Sequence, residues 1–203
     1  MAAAQFADPR VSRMKFDREV AEFRALREHY AQRGCFLVHA EYPSALVLLA
    51  TAKTHVPAIV AAVSFDYTNY DAAPPSVRLV HPLTGEPFTQ AQLPTHLNRA
   101  VPLPDDVPSP LAWHPPGAVE ALQSLMQAHR PEDIPFLCVA GVREYHEHPA
   151  HSGDSWELHR ASGAGRLIRL LEVIWRYGVE PITGLALQIT PRVVGFAFGQ
   201  PPT

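Results

Sequence analysis

Between residues 15 and 33 the apolar side chains Phe16, Val20, Phe23, Leu26 and Tyr30 return every three or four positions, with Arg and Glu filling the gaps. That is the period of a helix with one buried face, and Gly34 directly after it is suited to ending one. The pattern then changes. CFLVHAEY (35–42), ALVLLATA (45–52) and AIVAAVSFDY (58–67) are aliphatic and β-branched runs split by short segments of Pro, Ser, Lys or Thr, and SVRLV (76–80) is a fourth. Short runs with tight connections predict an antiparallel meander.

From residue 84 to residue 116 proline is frequent and periodicity is absent, which predicts a long ordered loop crossing one face of the sheet. AVEALQSLMQAHR (118–130) has helical spacing and stops at Pro131, so a helix is expected there. IPFLCVAGVREY (134–145) reads as a short strand, and GRLIRLLEVIWRYG (165–178) as an amphipathic helix closed by Gly178 and Pro181. The tail segments LALQI and PRVVGFAF are β-prone and suit a final hairpin or an edge extension. The whole predicts a tail over residues 1–14 and one α+β domain over 15–203, in which helices cover an antiparallel sheet.

Composition narrows the function classes. The 203 residues carry 17 Lys and Arg against 20 Asp and Glu, a net charge of −3, so no broad basic field invites nucleic acid or an anionic membrane. The longest apolar stretch, near residues 45–52, is far short of the roughly 20 residues a membrane-spanning helix needs. Two cysteines, Cys35 and Cys138, make no disulfide framework, and the N-terminus has no apolar signal core; a reducing, cytoplasmic setting is expected. The 21 prolines fall in clusters between aliphatic runs and so act as loop punctuation.

The stretch FDYTNYDAAPPSVRLVHPLTG (65–85) carries an aromatic strand end at Phe65, then Tyr70, the pair Pro74-Pro75, a strand, and His81-Pro82. With the helix and meander before it, this order resembles the ubiquitin-conjugating (UBC/RWD-like) fold over residues 15–85. In that family an asparagine follows His-Pro and helps hold the oxyanion formed when a lysine attacks a thioester, and the nucleophilic cysteine follows soon after. Here Leu83 stands in the asparagine's place and no cysteine lies between Cys35 and Cys138. Leucine cannot donate that hydrogen bond, so the resemblance implies a conjugating-enzyme scaffold without its chemistry.

The remaining chemistry is concentrated in CVAGVREYHEHPAHSGDSWELHR (138–160), which holds four of the eleven histidines. If residues 135–144 are extended, Cys138, Ala140, Val142 and Glu144 share one face. His146, His148 and His151 follow in a loop where Pro149 and Ser152-Gly153 permit a return toward the strand, and His159 is a further candidate. A set of thiolate, carboxylate and imidazole favours zinc over calcium or magnesium. Glu147, Asp154 and Glu157 are expected to be solvated or to orient an imidazole, Trp156 to anchor the loop against the last helix, and Arg143 to be a surface charge.

The same run resembles a bacterial predicted metal-binding domain with a Cys-Glu-His-His signature, found beside ubiquitin-like modifiers and their conjugating enzymes. The resemblance implies a metal site formed from Cys138, Glu144 and two among His146, His148 and His151, with His148 and His151 preferred. It further implies a noncatalytic, zinc-binding accessory protein of a ubiquitin-like conjugation pathway, in anti-phage defence, that binds the conjugating enzyme or the modifier. Two enzymatic alternatives remain open on the residues. One is a zinc-dependent hydrolase with Glu144 or Glu147 as base, and the other a divergent conjugating enzyme that carries the modifier on Cys138. A metal sensor is a third class.

Overall fold

The computed structural model describes residues 4–102 and 120–186. The first helix, α1 (Pro9–Ala25), opens with Asp8, whose side chain accepts from the Arg10 N–H, and with Pro9 in the first turn, where its missing N–H costs nothing. Phe16, Val20 and Phe23 are buried along one face, as their spacing predicts. The helical period does not run unbroken to residue 33. Leu26 leaves helical geometry and is 41% exposed, and a short helix α2 (Arg27–Gln32) follows.

Gly34 ends this corner at φ +76°, and a Cβ there would lie 2.0 Å from the Ala50 carbonyl oxygen. Only glycine allows strand two to approach so closely.

Four strands follow, β1 (Cys35–Glu41), β2 (Ser44–Thr51), β3 (Ala58–Asp66) and β4 (Ser76–Val80), in the antiparallel sheet order β1-β2-β3-β4. Register places Leu37, Val47, Val63 and Leu79 in one row across the sheet, and Ala45, Phe65 and Val77 in the next. These residues form one core with Phe16, Val20 and Phe23 of α1 and with Leu167, Leu170, Leu171 and Ile174 of the helix α5 (Leu167–Gly178). Each fully buried Val, Leu, Ile or Phe among them contributes about 1.5–3 kcal/mol. The α1–α5 seam is also polar. Glu19, fully buried, accepts from the Leu167 N–H at 3.3 Å, and Arg166 pairs with Glu19 and Glu22.

The opposite face of the sheet is covered only toward β4. Ala62 and Val80 are buried there, whereas Phe36 and Val38 of β1, and Ile59 at the start of β3 where β4 does not reach, are 44%, 51% and 54% exposed.

The second half departs from its expected elements in two places. Within 118–130 the described residues form strands, not a helix: β6 (Glu120–Ser124) pairs with β5 (Asn98–Pro102), and β7 (Met126–Gln127) pairs with β8 (Phe136–Leu137). Pairing with distant partners overrides a local spacing that suits a helix. The strand expected over 134–145 is likewise reduced to β8. It gives way to a turn at Gly141 and then to the helix α3 (Arg143–Glu147). Cys138 and Glu144 therefore do not share a strand face. The long loop expected over 84–116 contains a 3-10 turn at Gln90–Gln92 and β5. Its residues 103–116, and the proposed final hairpin beyond residue 186, lie outside the described residues.

Candidate functional site

Cys138, directly after β8, is set by backbone bonds. Its N–H donates to Leu125 O at 2.7 Å, and the Val142 N–H closes a turn onto Val139 O at 3.1 Å. Gly141 within that turn has φ +110°, and a Cβ would stand 2.4 Å from the Ala164 carbonyl oxygen.

Helix α3 is then pinned to the Pro-Pro turn ahead of β4. The Arg143 N–H donates to Pro75 O at 2.8 Å, and its guanidinium donates to Thr68 O at 2.8 Å, to Pro74 O at 3.3 Å and to the Asp66 carboxylate at 3.3 Å. Arg143 is thus a clamp between the histidine loop and the sheet, not the surface charge its sequence position suggests.

Glu144, on the next position of α3, uses Oε1 to accept from Ser76 Oγ and to pair with Arg78 Nη2 at 3.0 Å. Its Oε2 is buried and has no hydrogen-bond partner among the described residues. His146 has both nitrogens engaged: Nδ1 lies 2.8 Å from Asp154 O, and Nε2 lies 3.3 Å from the Gly141 N–H. A carbonyl can only accept and an N–H only donate, so the proton sits on Nδ1 and the Nε2 lone pair is occupied.

His148 and His151 follow around a 3-10 turn at Pro149–His151, where His148 Nδ1 accepts from the Ala150 N–H at 3.3 Å. That bond leaves His148 Nε2 facing other surroundings. Its ring stacks on Phe136 with centroids 4.9 Å apart and stands 5.7 Å from the rings of His129 and of His151. His151 stacks on Tyr145 at 3.9 Å and places Nε2 3.5 Å from Cys138 Sγ.

Asp154 joins these pieces. Its carboxylate accepts from Tyr145 OH at 2.6 Å and meets His159 Nε2 at 2.5 Å. The Tyr145 bond, then the His159 bond, hold the Asp154 carboxyl below its ordinary range. The same bond to Asp154, followed by burial, pushes the Tyr145 hydroxyl up to about 12. Tyr145 therefore lies as a platform under His151, and Asp154, still partly exposed, bonds the imidazole of His159, the second of its two expected roles. Glu147 and Glu157, by contrast, are exposed as expected.

The loop closes through α4 (Trp156–Arg160), whose cap Ser155 accepts from the Glu157 N–H at 3.4 Å. Trp156 Nε1 donates to Asp71 O at 2.8 Å, so its polar anchor is the β3–β4 connection rather than the last helix.

A family model describing the Y4jH-like family (Y4jH family) matches residues 7–182. The chain belongs to the Y4jH-like family. It is also 43% identical, over 195 residues, to the "Uncharacterized protein y4jH" of Sinorhizobium fredii (strain NBRC 101917 / NGR234). That alignment covers 96% of this chain and 95% of the relative. The Y4jH-like match takes in every element from α1 to α5, and with them the whole histidine loop.

Within this Y4jH-like chain, the five residues singled out as metal ligands fall into distinct settings. Cys138 and His151 meet; His148 lies beside His151; Glu144 faces Ser76 and Arg78; His146 braces the turn. Among the described residues, no three His, Cys, Asp or Glu side chains are gathered as a metal-ligand set. The thiol of Cys138 is raised by burial, with only the charge of Arg99 opposing. A thiol so placed is a weak nucleophile at neutral pH, but it remains able to give up its proton to a metal.

His129 is the residue the sequence pattern does not single out. It lies upstream of the cluster, yet it shares with His148, Met126, Asp133 and Phe136 a cavity of about 530 Å³.

Proposed function

We propose that this Y4jH-like protein binds a transition metal of the zinc class through Cys138 and His151, as a noncatalytic accessory of a bacterial ubiquitin-like conjugation pathway. The supporting observation is the 3.5 Å separation of Cys138 Sγ and His151 Nε2. A sulfur about 2.3 Å and a nitrogen about 2.0 Å from one tetrahedral metal lie about 3.5 Å apart. The donor set suits the ion, since a thiolate and an imidazole are zinc's usual ligands. His148, with its Nε2 free of the Ala150 bond, is the third ligand in this reading. Glu144, through its unpartnered Oε2, is the carboxylate available to complete the set, and His146 holds the loop. Such an ion would tie β8 to the histidine loop.

The conjugation context is favoured by element order: a helix, a four-stranded meander in sequential order, Pro74-Pro75 ahead of β4 and His81-Pro82 after it. Leu83, 85% exposed, offers nothing to stabilise an oxyanion, which favours a binding role over conjugation.

Elemental analysis after zinc loading and desalting tests the metal. About one equivalent per chain is expected for the wild type. Cys138→Ser and His151→Ala should lose it, while His146→Gln keeps it. Wild-type protein that retains no zinc, nor any thiolate-to-metal charge-transfer band on cobalt loading, overturns the metal. Titration calorimetry against the ubiquitin-like modifier and the conjugating enzyme of the same organism tests the pathway, and absence of heat with both overturns it.

A further inference from the structure

We propose that the groove between β1 and the α1–α2 corner receives an extended, acidic segment of a partner protein, which adds to the sheet as a fifth strand alongside β1. β1 is the first strand in the order β1-β2-β3-β4, so it has a sheet neighbour on one side only. Among the described residues, its backbone groups make no hydrogen bond beyond those to β2. An unpaired edge is a ready template for another strand, and natural edges are usually blunted by lysine, proline, a bulge or a cover. β1 has a bulge between Leu37 and His39, but it contains neither lysine nor proline.

In place of a cover there is a cavity of about 670 Å³, walled by β1 on one side and by the end of α1 and the start of α2 on the other. Its apolar surface is partly open to water: Leu26, Phe36 and Val38 are 41%, 44% and 51% exposed. Two exposed apolar residues at alternate positions of an edge strand suit an incoming strand whose own side chains alternate.

The rim decides the sign of the occupant. Arg24 and Arg27 line the cavity, are exposed, and have no carboxylate partner among the described residues. Glu28 is the acidic lining residue against these two arginines. This local excess of cations stands in a chain whose net charge is −3. Acidic side chains alternating with apolar ones answer both features of the groove. The metal plays no part, so failure of zinc loading leaves this inference standing.

Fluorescence anisotropy with a fluorescein-labelled peptide of alternating valine and glutamate is the direct test. Saturable binding is expected, unaffected by chelator, and lost for a peptide of alternating valine and lysine. Methylating alternate backbone nitrogens of the acidic peptide removes strand pairing without changing its charge, and it should abolish binding. The Arg24→Glu, Arg27→Glu double variant, which alters only exposed side chains, should keep the wild-type melting temperature and bind at least about tenfold more weakly.

Equal binding of acidic and basic peptides, indifference to N-methylation, or full affinity in the double variant each overturns the proposal. So does a peptide-free dimer in sedimentation that the double variant dissolves, because the groove would then belong to a second copy of the chain.

Discussion

Replacing Gly141 by alanine is expected to destabilise the fold through the turn that presents Cys138. The backbone there has φ +110°, and the new methyl would stand 2.4 and 2.5 Å from the carbonyl oxygen and carbon of Ala164. Ordinary contact needs roughly 3.5 Å, so one side must move by about 1 Å. A non-glycine residue at positive φ costs about 1–2 kcal/mol, and forced overpacking adds about 1–3 kcal/mol.

The total of roughly 2–5 kcal/mol is a large share of a domain stability of about 5–15 kcal/mol. At about 2–4 °C per kcal/mol for a chain of this size, the melting temperature should fall by roughly 4–20 °C. Ala164 leads directly into the start of α5, so the strain passes to the Glu19–Leu167 bond rather than dissipating in solvent. Gly153, in the same histidine loop, is the control: it has no positive φ, and a methyl added there would meet no atom within 4 Å. Gly153→Ala should stay within about 0.5 kcal/mol of wild type. Circular dichroism melts of the three proteins decide the matter. Melting temperatures of the two variants within about 1 °C of each other would refute the packing argument.

Acid sensitivity follows from two carboxylates. Burial alone would raise Asp71, but the Lys15 hydrogen bond and charge, with Arg160, hold it below its ordinary value of 3.8, and Asp154 is lowered by Tyr145 and His159. A depressed folded-state value stabilises above the unfolded value and loses that stability as pH falls. Melting temperature should therefore drop progressively below the ordinary value of 3.8, and Asp71→Asn should flatten the profile; an unchanged slope in that variant counts against the reading. The two thiols should also separate. Burial, then the Glu172 charge, pushes Cys35 up to about 12, and Cys35 is 2% exposed, whereas Cys138 is only partly buried. Mass spectrometry after brief iodoacetamide treatment of metal-free protein should find Cys138 labelled first, and the opposite order would be decisive against it.

The meander is legible in the sequence because each strand carries its own alternating or aliphatic pattern and pairs with its neighbour in chain order. The stretch around Leu122, Leu125 and Met126 is not. Its spacing satisfies a helix, and it becomes β6 and β7 only because Asn98–Pro102 and Phe136–Leu137 offer partners. The Cys138 region escapes for a similar reason. Nothing local announces that Gly141 takes a positive φ or that Arg143 is held by the carbonyls of Thr68 and Pro74. The composition of the histidine run does point to the meeting of Cys138 with His151. The roles of Tyr145, Asp154 and His129 depend on stacking and on a shared cavity, which spacing does not encode.

The seam between α1 and α5 joins residues far apart in order of synthesis. Arg166 meets Glu22 across 144 positions, and Leu167 meets Glu19 across 148. At about 5–20 residues per second, a ribosome needs roughly 7–30 s between making the two sides. During that interval α1 has its apolar stripe but not its final partner, and the buried Glu19 has no N–H to receive. Among the described residues α5 is thus the helix that completes the core, and until it has been made the apolar stripe of α1 has only the sheet to pack against.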